Sequence, residues 1–238
     1  MNTAVSADGT MIAFDRYGDG PPVIMTVGAF NTRSQTEPLA RTLAPRFTVL
    51  NYDRRGRGDS GDTAPYAVER EIDDIAALIA AAGGLPITHL VLYEPPFNTD
   101  DTYPLLPAGF AAELDGLVSA DRRGDAVELY QTKAVGIPQE VVAQMRHAPF
   151  RPGLEAIAHT LAYDAAIIGD RSMPAGLLSA VTVPTVVITG EQSPPFLRNA
   201  AQAAAQKMPN GRLAVLRGQT HDLNPDATAP VIAEFLAG

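Results

Sequence analysis

The residues able to do chemistry in this chain are few. There are four histidines and no cysteine, so imidazole is the natural acid–base group near neutral pH. Thiol nucleophiles, disulfides and thiolate metal sites are excluded. His221 sits in the 217–224 loop, between a predicted strand over 212–216 and the last predicted helix. It reads either as a solvated loop side chain or as an acid–base group. His159, Tyr163 and Asp164 fall at helical spacings of four and five. They either line a pocket from above or are surface and core positions of one helix. Met145 and Phe196 suit an apolar pocket wall as well as ordinary core packing. No metal or organic cofactor is expected.

The elements that must hold these residues alternate. Asp8-Gly9 signals a hairpin turn. Apolar runs at 23–27 and 47–52 read as strands buried on both faces. A helix over 34–43 lies between them, and a charged, glycine-rich turn occupies 53–61. Residues 68–82 read as a helix with Ile72, Ile75, Ala76 and Ile79 on one stripe, stopped by Gly83-Gly84. Strands at 87–93, 184–189 and 212–216 follow, with helices over 196–208 and to the end. This is an α/β pattern with a mostly parallel sheet, whose ligands bind at the carboxyl ends of the strands. The stretch 99–180 is helical and broken by proline and glycine, and reads as a helical cap. The expected division is a core of 1–98 and 181–238 with the cap inserted, in one domain overall.

Composition agrees. A chain of 238 residues, 46% hydrophobic and 19% charged, has the profile of one domain that folds alone. Its net charge is −9 and its longest basic cluster is Arg54-Arg55 with Arg57, so no nucleic-acid partner is expected. The start lacks a basic and then apolar signal region, and no apolar run reaches the roughly 18 residues of a membrane span. A cytoplasmic protein without a membrane partner is the expectation.

Four segments together resemble α/β hydrolases: Val27-Gly28-Ala29-Phe30, Asp53-Arg54-Arg55-Gly56-Arg57-Gly58-Asp59-Ser60, Gly190-Glu191, and Gly218-Gln219-Thr220-His221. Their order and the helical insertion are similar to small actinobacterial-type members with a short cap. The resemblance implies a nucleophile elbow, G-x-S-x-G, on a sharp turn between strand and helix. None of the seven serines here has glycine at both −2 and +2, and no G-x-D-x-G replaces the motif. Ser60 matches a structural turn serine of the family. Only the seven residues 83–89 separate Ala82 from Leu90, where a strand and a returning helix would need at least about ten to twelve for the crossover alone. The pattern is that of a deleted strand–turn–helix. The 87–93 strand is then expected to enter the vacated slot, pair with 23–27 and close an α/β-hydrolase-like sheet with one central strand fewer.

The resemblance gives His221 the place of the catalytic histidine. The family's usual acid position reads Gly190-Glu191-Gln192-Ser193 here, but haloalkane-dehalogenase-like relatives take the acid from the place of Glu94. That residue either orients His221 or caps the turn at Pro95-Pro96. Gly28, Ala29 and Phe30 resemble the oxyanion loop, whose second donor would be lost with the elbow. Asp53 and Arg54 read as structural. The implied function is acid–base catalysis by His221 on a small apolar organic ligand without a covalent nucleophile, as in a cyclase, isomerase or lyase. The alternatives are a non-catalytic ligand- or partner-binding pseudo-hydrolase, or an ester or epoxide hydrolase. A homodimer is a further possibility.

Overall fold

The structure, a computed structural model, describes residues 1–99 and 104–238. Residues 100–103, near the start of the expected cap, lie outside the described residues. Strands β1 (Asn2–Val5) and β2 (Met11–Tyr17) form the opening hairpin. Gly9 turns it at φ 86°, and Asp8 Oδ1 accepts from the Thr10 amide at 3.0 Å. β2 pairs antiparallel with β4 (Thr48–Tyr52), and β4 pairs parallel with β3 (Pro22–Met25). A second sheet holds β5 (Leu90–Tyr93), β6 (Thr185–Gly190) and β7 (Gly211–Leu216), all parallel and in that order. The mixed α/β fold with mostly parallel strands is as expected.

The connections are helical: α1 (Arg33–Leu43), α2 (Val68–Ala81), and, later, α9 (Pro195–Lys207) and α10 (Pro225–Ala237). Between β5 and β6 run α3 (Phe110–Ser119), α4 (Arg123–Tyr130), α5 (Gln139–Gln144), α6 (Arg151–Ala156), α7 (Leu161–Ile168) and α8 (Ala175–Ser179). This helical stretch has a core of its own, in which Phe110, Leu114, Val127, Tyr130 and Leu161 are buried together.

The sheet does not close. β3 and β5 are not hydrogen-bonded to each other, and the strands form the orders β1-β2-β4-β3 and β5-β6-β7. The expected pairing of 87–93 with 23–27 is therefore corrected. So is the expectation that 23–27 is buried on both faces: β3 and β5 are largely half-exposed, whereas β4 and β6 are wholly buried.

On one face the two half-sheets share a core. Leu39 and Leu43 of α1 and Ile232 and Phe235 of α10 share one cluster with Val49 of β4 and Val186 and Ile188 of β6. On the opposite face the core is divided. Leu78 of α2 packs with Ile12, Phe14 and Leu50, and a separate cluster joins Val187 to Ala201 and Ala204 of α9.

The buried side of α2 also differs from the apolar stripe. Glu71, Asp74 and Leu78 are buried, and Ile72 is exposed. The two acids are drawn inward by arginines of the 53–60 turn.

Candidate functional site

β5 delivers Glu94 in the left-handed region, at φ 45°, a conformation that a non-glycine residue adopts only when its surroundings hold it there. Here they do. Oε1 accepts from the Thr189 hydroxyl at 2.9 Å and the Gly190 amide at 2.8 Å. Oε2 faces His221 Nδ1 at 2.5 Å. The Glu94 side chain is fully buried, while that of His221 is 62% exposed. One end of the imidazole is therefore fixed and the other faces outward. The Nδ1–H donates to the carboxylate, and Nε2 takes no hydrogen bond from any described residue, serine hydroxyls included.

Burial alone would raise the Glu94 carboxyl, but hydrogen bonds from His221, Gly190 and Thr189, with the Ser193 hydroxyl alongside, outweigh it and hold it below the ordinary carboxylate range. The buried Ser193 hydroxyl lies beside this carboxylate without a hydrogen bond of standard geometry. His221 is shifted the other way. Its hydrogen bond to Glu94 raises the imidazole above its ordinary value, against the effect of burial.

The loop carrying His221 is braced at both ends. Glu191 Oε2 accepts from the Gly218 amide at 2.8 Å, and Gln219 O from the Gln192 amide at 2.8 Å. Asn224 caps α10, accepting from Asp226 N and Ala227 N at 3.1 and 3.3 Å. Gly190 must be glycine, because a Cβ there would meet Gln219 O at 2.5 Å and Thr220 O at 2.6 Å.

The loop after β3, expected to resemble an oxyanion loop, has its carbonyls held and its amides free. Arg57 Nη1 donates to Gly28 O at 2.7 Å and Asn31 O at 3.2 Å, and Asn31 Nδ2 donates to Ala29 O at 2.9 Å. The Ala29 and Phe30 amides donate to nothing among the described residues. Phe30, at φ 62°, stacks edge-on against Tyr130 with ring centroids 5.4 Å apart. This arrangement can receive a developing oxyanion from one side.

Arg57 is in turn set by the helical stretch. Its Nη2 lies 2.5 Å from Asp164 Oδ2 and its Nε donates to Thr160 Oγ1 at 3.0 Å. Arg54 reaches the same Asp164 at 2.6 Å and pairs with both oxygens of Glu71. Asp164 thus joins two buried guanidiniums and is not a free pocket group. Asp53 is buried and structural, accepting from Arg33 and from the Asp59 amide, and the Ser60 hydroxyl bridges Asp53 O and the Ala13 amide.

The remaining candidates lie apart from the dyad's hydrogen bonds. Asp62 Oδ2 is 2.8 Å from Tyr163 OH and 3.7 Å from His159 Nε2. Burial holds His159 below the ordinary imidazole value. Met145 is half-buried in a single helical turn, and Phe196 lies under the Arg171 guanidinium, 5.8 Å from the ring centroid.

Thr189 and Gly190 as carboxylate donors had no signal in the sequence beyond their place at the end of a strand. Arg57 as a partner of the Gly28 and Asn31 carbonyls had no signal in the sequence either, since its acid, Asp164, lies more than a hundred residues away. Among the described residues no group of three or more acids and histidines is arranged for a metal ion, and no helix is long and apolar enough to cross a membrane.

No family model matches the chain. Among curated proteins, the 2-(acetamidomethylene)succinate hydrolase of Mesorhizobium japonicum is 26% identical over 92% of this chain and 89% of its own length. That alignment runs over 248 residues, more than the 238 of this chain, so the relative carries residues inside the matched span that have no counterpart here. Among solved structures, an α/β hydrolase from Sphaerobacter thermophilus is 49% identical with a TM-score of 0.91, covering 99% of this chain and 100% of that one. A malate-bound esterase from Thermogutta terrifontis is 20% identical with a TM-score of 0.69, covering 99% and 97%, and shows the fold alone.

Proposed function

Since this chain belongs to the α/β-hydrolase superfamily, we propose that His221, oriented by Glu94, acts as a general acid–base on a small apolar molecule without a covalent intermediate. The supporting observation is the 2.5 Å contact between Nδ1 and a fully buried, otherwise saturated carboxylate. Neutral Nε2 takes a proton from a carbon acid or a hydroxyl of the ligand, Glu94 stabilises the imidazolium, and Nε2–H returns the proton at another position. Negative charge that develops on the ligand meets the free Ala29 and Phe30 amides. No step uses a serine, in keeping with the absence of G-x-S-x-G from the sequence. Isomerisation, cyclisation and elimination all balance on such a transfer.

The curated relative's name favours a neighbouring reading, in which the proton comes from a water that attacks a carbonyl. The unpartnered edges of β3 and β5 favour another, a binding protein that has kept the dyad.

One experiment separates them. A panel of activated short-chain esters and of ketones with acidic C–H bonds is followed by absorbance and by deuterium exchange, alongside fluorophosphonate labelling. The expected result is turnover or exchange that His221→Ala abolishes, with no labelled serine. Stoichiometric labelling of a serine, or activity that survives His221→Ala, overturns the proposal. Saturable ligand binding without turnover, unchanged in His221→Ala, establishes the binding protein instead.

A further inference from the structure

We propose that Ser193 is a positioning residue of the Glu94–His221 pair: its buried hydroxyl is the last donor to the carboxylate, on Oε2, and limits how tightly that oxygen holds the protonated imidazole. An ionised carboxylate offers about four lone-pair sites. Here Oε1 takes two donors, the Thr189 hydroxyl and the Gly190 amide, while Oε2 takes His221 Nδ1 alone. One site on Oε2 is left over in a side chain without exposure to water, where an unfilled acceptor is costly.

The donor that suits it lies alongside. Ser193 is 3% exposed, and its Oγ is buried without a hydrogen bond of standard geometry. The hydroxyl does not cap the helix that follows, since α9 begins without a side-chain cap. The other polar and charged groups around the pair are turned elsewhere. Tyr93 OH lies 3.5 Å from the carbonyls of His221 and Asp222. Glu191 Oε2 accepts from the Gly218 amide and Arg198 Nη1 donates to Glu191 O. Asp222, whose charge acts on His221, has no proton to give as a carboxylate.

The backbone fixes where the hydroxyl sits. The Ser193 amide donates to Gly190 O at 3.2 Å, closing a tight turn. Pro194 and Pro195 follow, and a residue before proline is restricted to extended backbone. Oγ occupies space that a side chain at position 190 would need, because a Cβ there would lie 2.6 Å from it. The amide of that same Gly190 is already on Glu94 Oε1, so one turn supplies one donor to the carboxylate and holds a second against it. Closing the contact satisfies an orphaned donor and an orphaned acceptor together. The nearness of the hydroxyl also helps to hold the Glu94 carboxyl below the ordinary carboxylate range.

A donor on Oε2 withdraws charge from the oxygen that faces Nδ1, so the imidazolium is bound less strongly and releases its proton more readily from Nε2. That last step rests on the acid–base reading of His221; the hydrogen bond does not. The test is therefore made without turnover, by nitrogen NMR titration of His221 in the native protein and in Ser193→Ala, with a crystal structure of the native protein. The crystal structure should place Ser193 Oγ about 2.5–3.0 Å from Glu94 Oε2. The titration midpoint of His221 should be about 0.3–1 pH unit higher in Ser193→Ala, because Oε2 without its second donor binds the imidazolium more strongly. A midpoint that stays or falls overturns the proposal, since that is the result for a side chain that only fills space. So does a native structure with Oγ more than about 3.5 Å from Oε2, a reading that stands even where Ser193→Ala fails to fold. A raised midpoint in a protein that turns over none of the esters or ketones supports Ser193 as the donor and counts against the acid–base reading alone.

Discussion

The 53–60 turn and the middle of the sheet treat their polar groups in opposite ways. In the turn, Arg54, Arg55 and Arg57 are buried, and their guanidiniums bond Glu71, Asp74, Asp8, Asp164 and loop carbonyls. In mid-sheet, two strand edges face each other without partners among the described residues. The dyad and the loop after β3 are each anchored inside one half-sheet. Glu94, Thr189, Gly190 and His221 all belong to the β5-β6-β7 half. The Gly28–Phe30 loop belongs to the β3-β4 half and is set by Arg57. The two halves are aligned by the shared core under α1 and α10 and by Asp164 reaching across from α7.

The strongest way to break the comparison is Asp164→Leu. It leaves Arg57 without its carboxylate and Arg54 with Glu71 alone, and removing one partner of a buried ion pair costs about 3–5 kcal/mol. Urea denaturation should show that loss. A loss under about 1 kcal/mol would mean that water or relaxation replaces the carboxylate.

A second measurement sharpens the contrast with one residue type. Leu50→Ala, in fully buried β4, should cost about 2–5 kcal/mol. Leu92→Ala, in half-exposed β5, should cost about 1 kcal/mol, because less apolar area leaves water there in the first place. Equal losses would mean that β5 is packed as a central strand.

The smallest effect is a titration. Because hydrogen bonding to Glu94 raises the folded imidazole pKa of His221, the neutral base form appears only above that raised value. The acid limb of a base-catalysed rate should therefore lie on the alkaline side of an ordinary histidine, about 6.5. Glu94→Gln should move both the limb and the NMR titration of His221 to lower pH. The same linkage makes the imidazole's contribution to stability present below its unfolded pKa and lost as pH rises through the folded one, whereas the contribution of the depressed Glu94 carboxyl is present above its unfolded pKa and lost as pH falls through the folded one. An unmoved titration would show that Glu94 does not set the imidazole.

Much of this was legible in the sequence. Alternating strands and helices, and the four loop segments, placed the fold, and the resemblance to haloalkane-dehalogenase-like relatives offered Glu94, beside a turn-capping alternative, as the residue that meets His221. The structural roles of Asp53 and Ser60 were also readable. Apolar periodicity misled at α2, where Glu71 and Asp74 turn inward because buried arginines await them. Asp164 was left open between a pocket wall and a helix position, because its partners lie more than a hundred residues away in sequence. The closure of the sheet failed for a different reason. Counting residues reveals that a connection is too short, but not whether the strands on either side then pair.

The exposed stretch 83–89 has a consequence for chain connectivity. Gly83 and Gly84 lie at φ 106° and 71°, and residues 83–88 are open to solvent, so a protease cutting there severs no strand pairing and no helix. The cut yields one fragment with the Gly28–Phe30 loop and a second with the Glu94–His221 pair. They remain joined by the α1–α10 pair, by the Asp164 ion pairs, and by Arg57–Thr160, Asp62–Tyr163 and the Phe30–Tyr130 and Tyr66–Tyr163 ring contacts. Nicking at 83–88 thus puts the Gly28–Phe30 loop and the Glu94–His221 pair on two chains that only non-covalent contacts hold together.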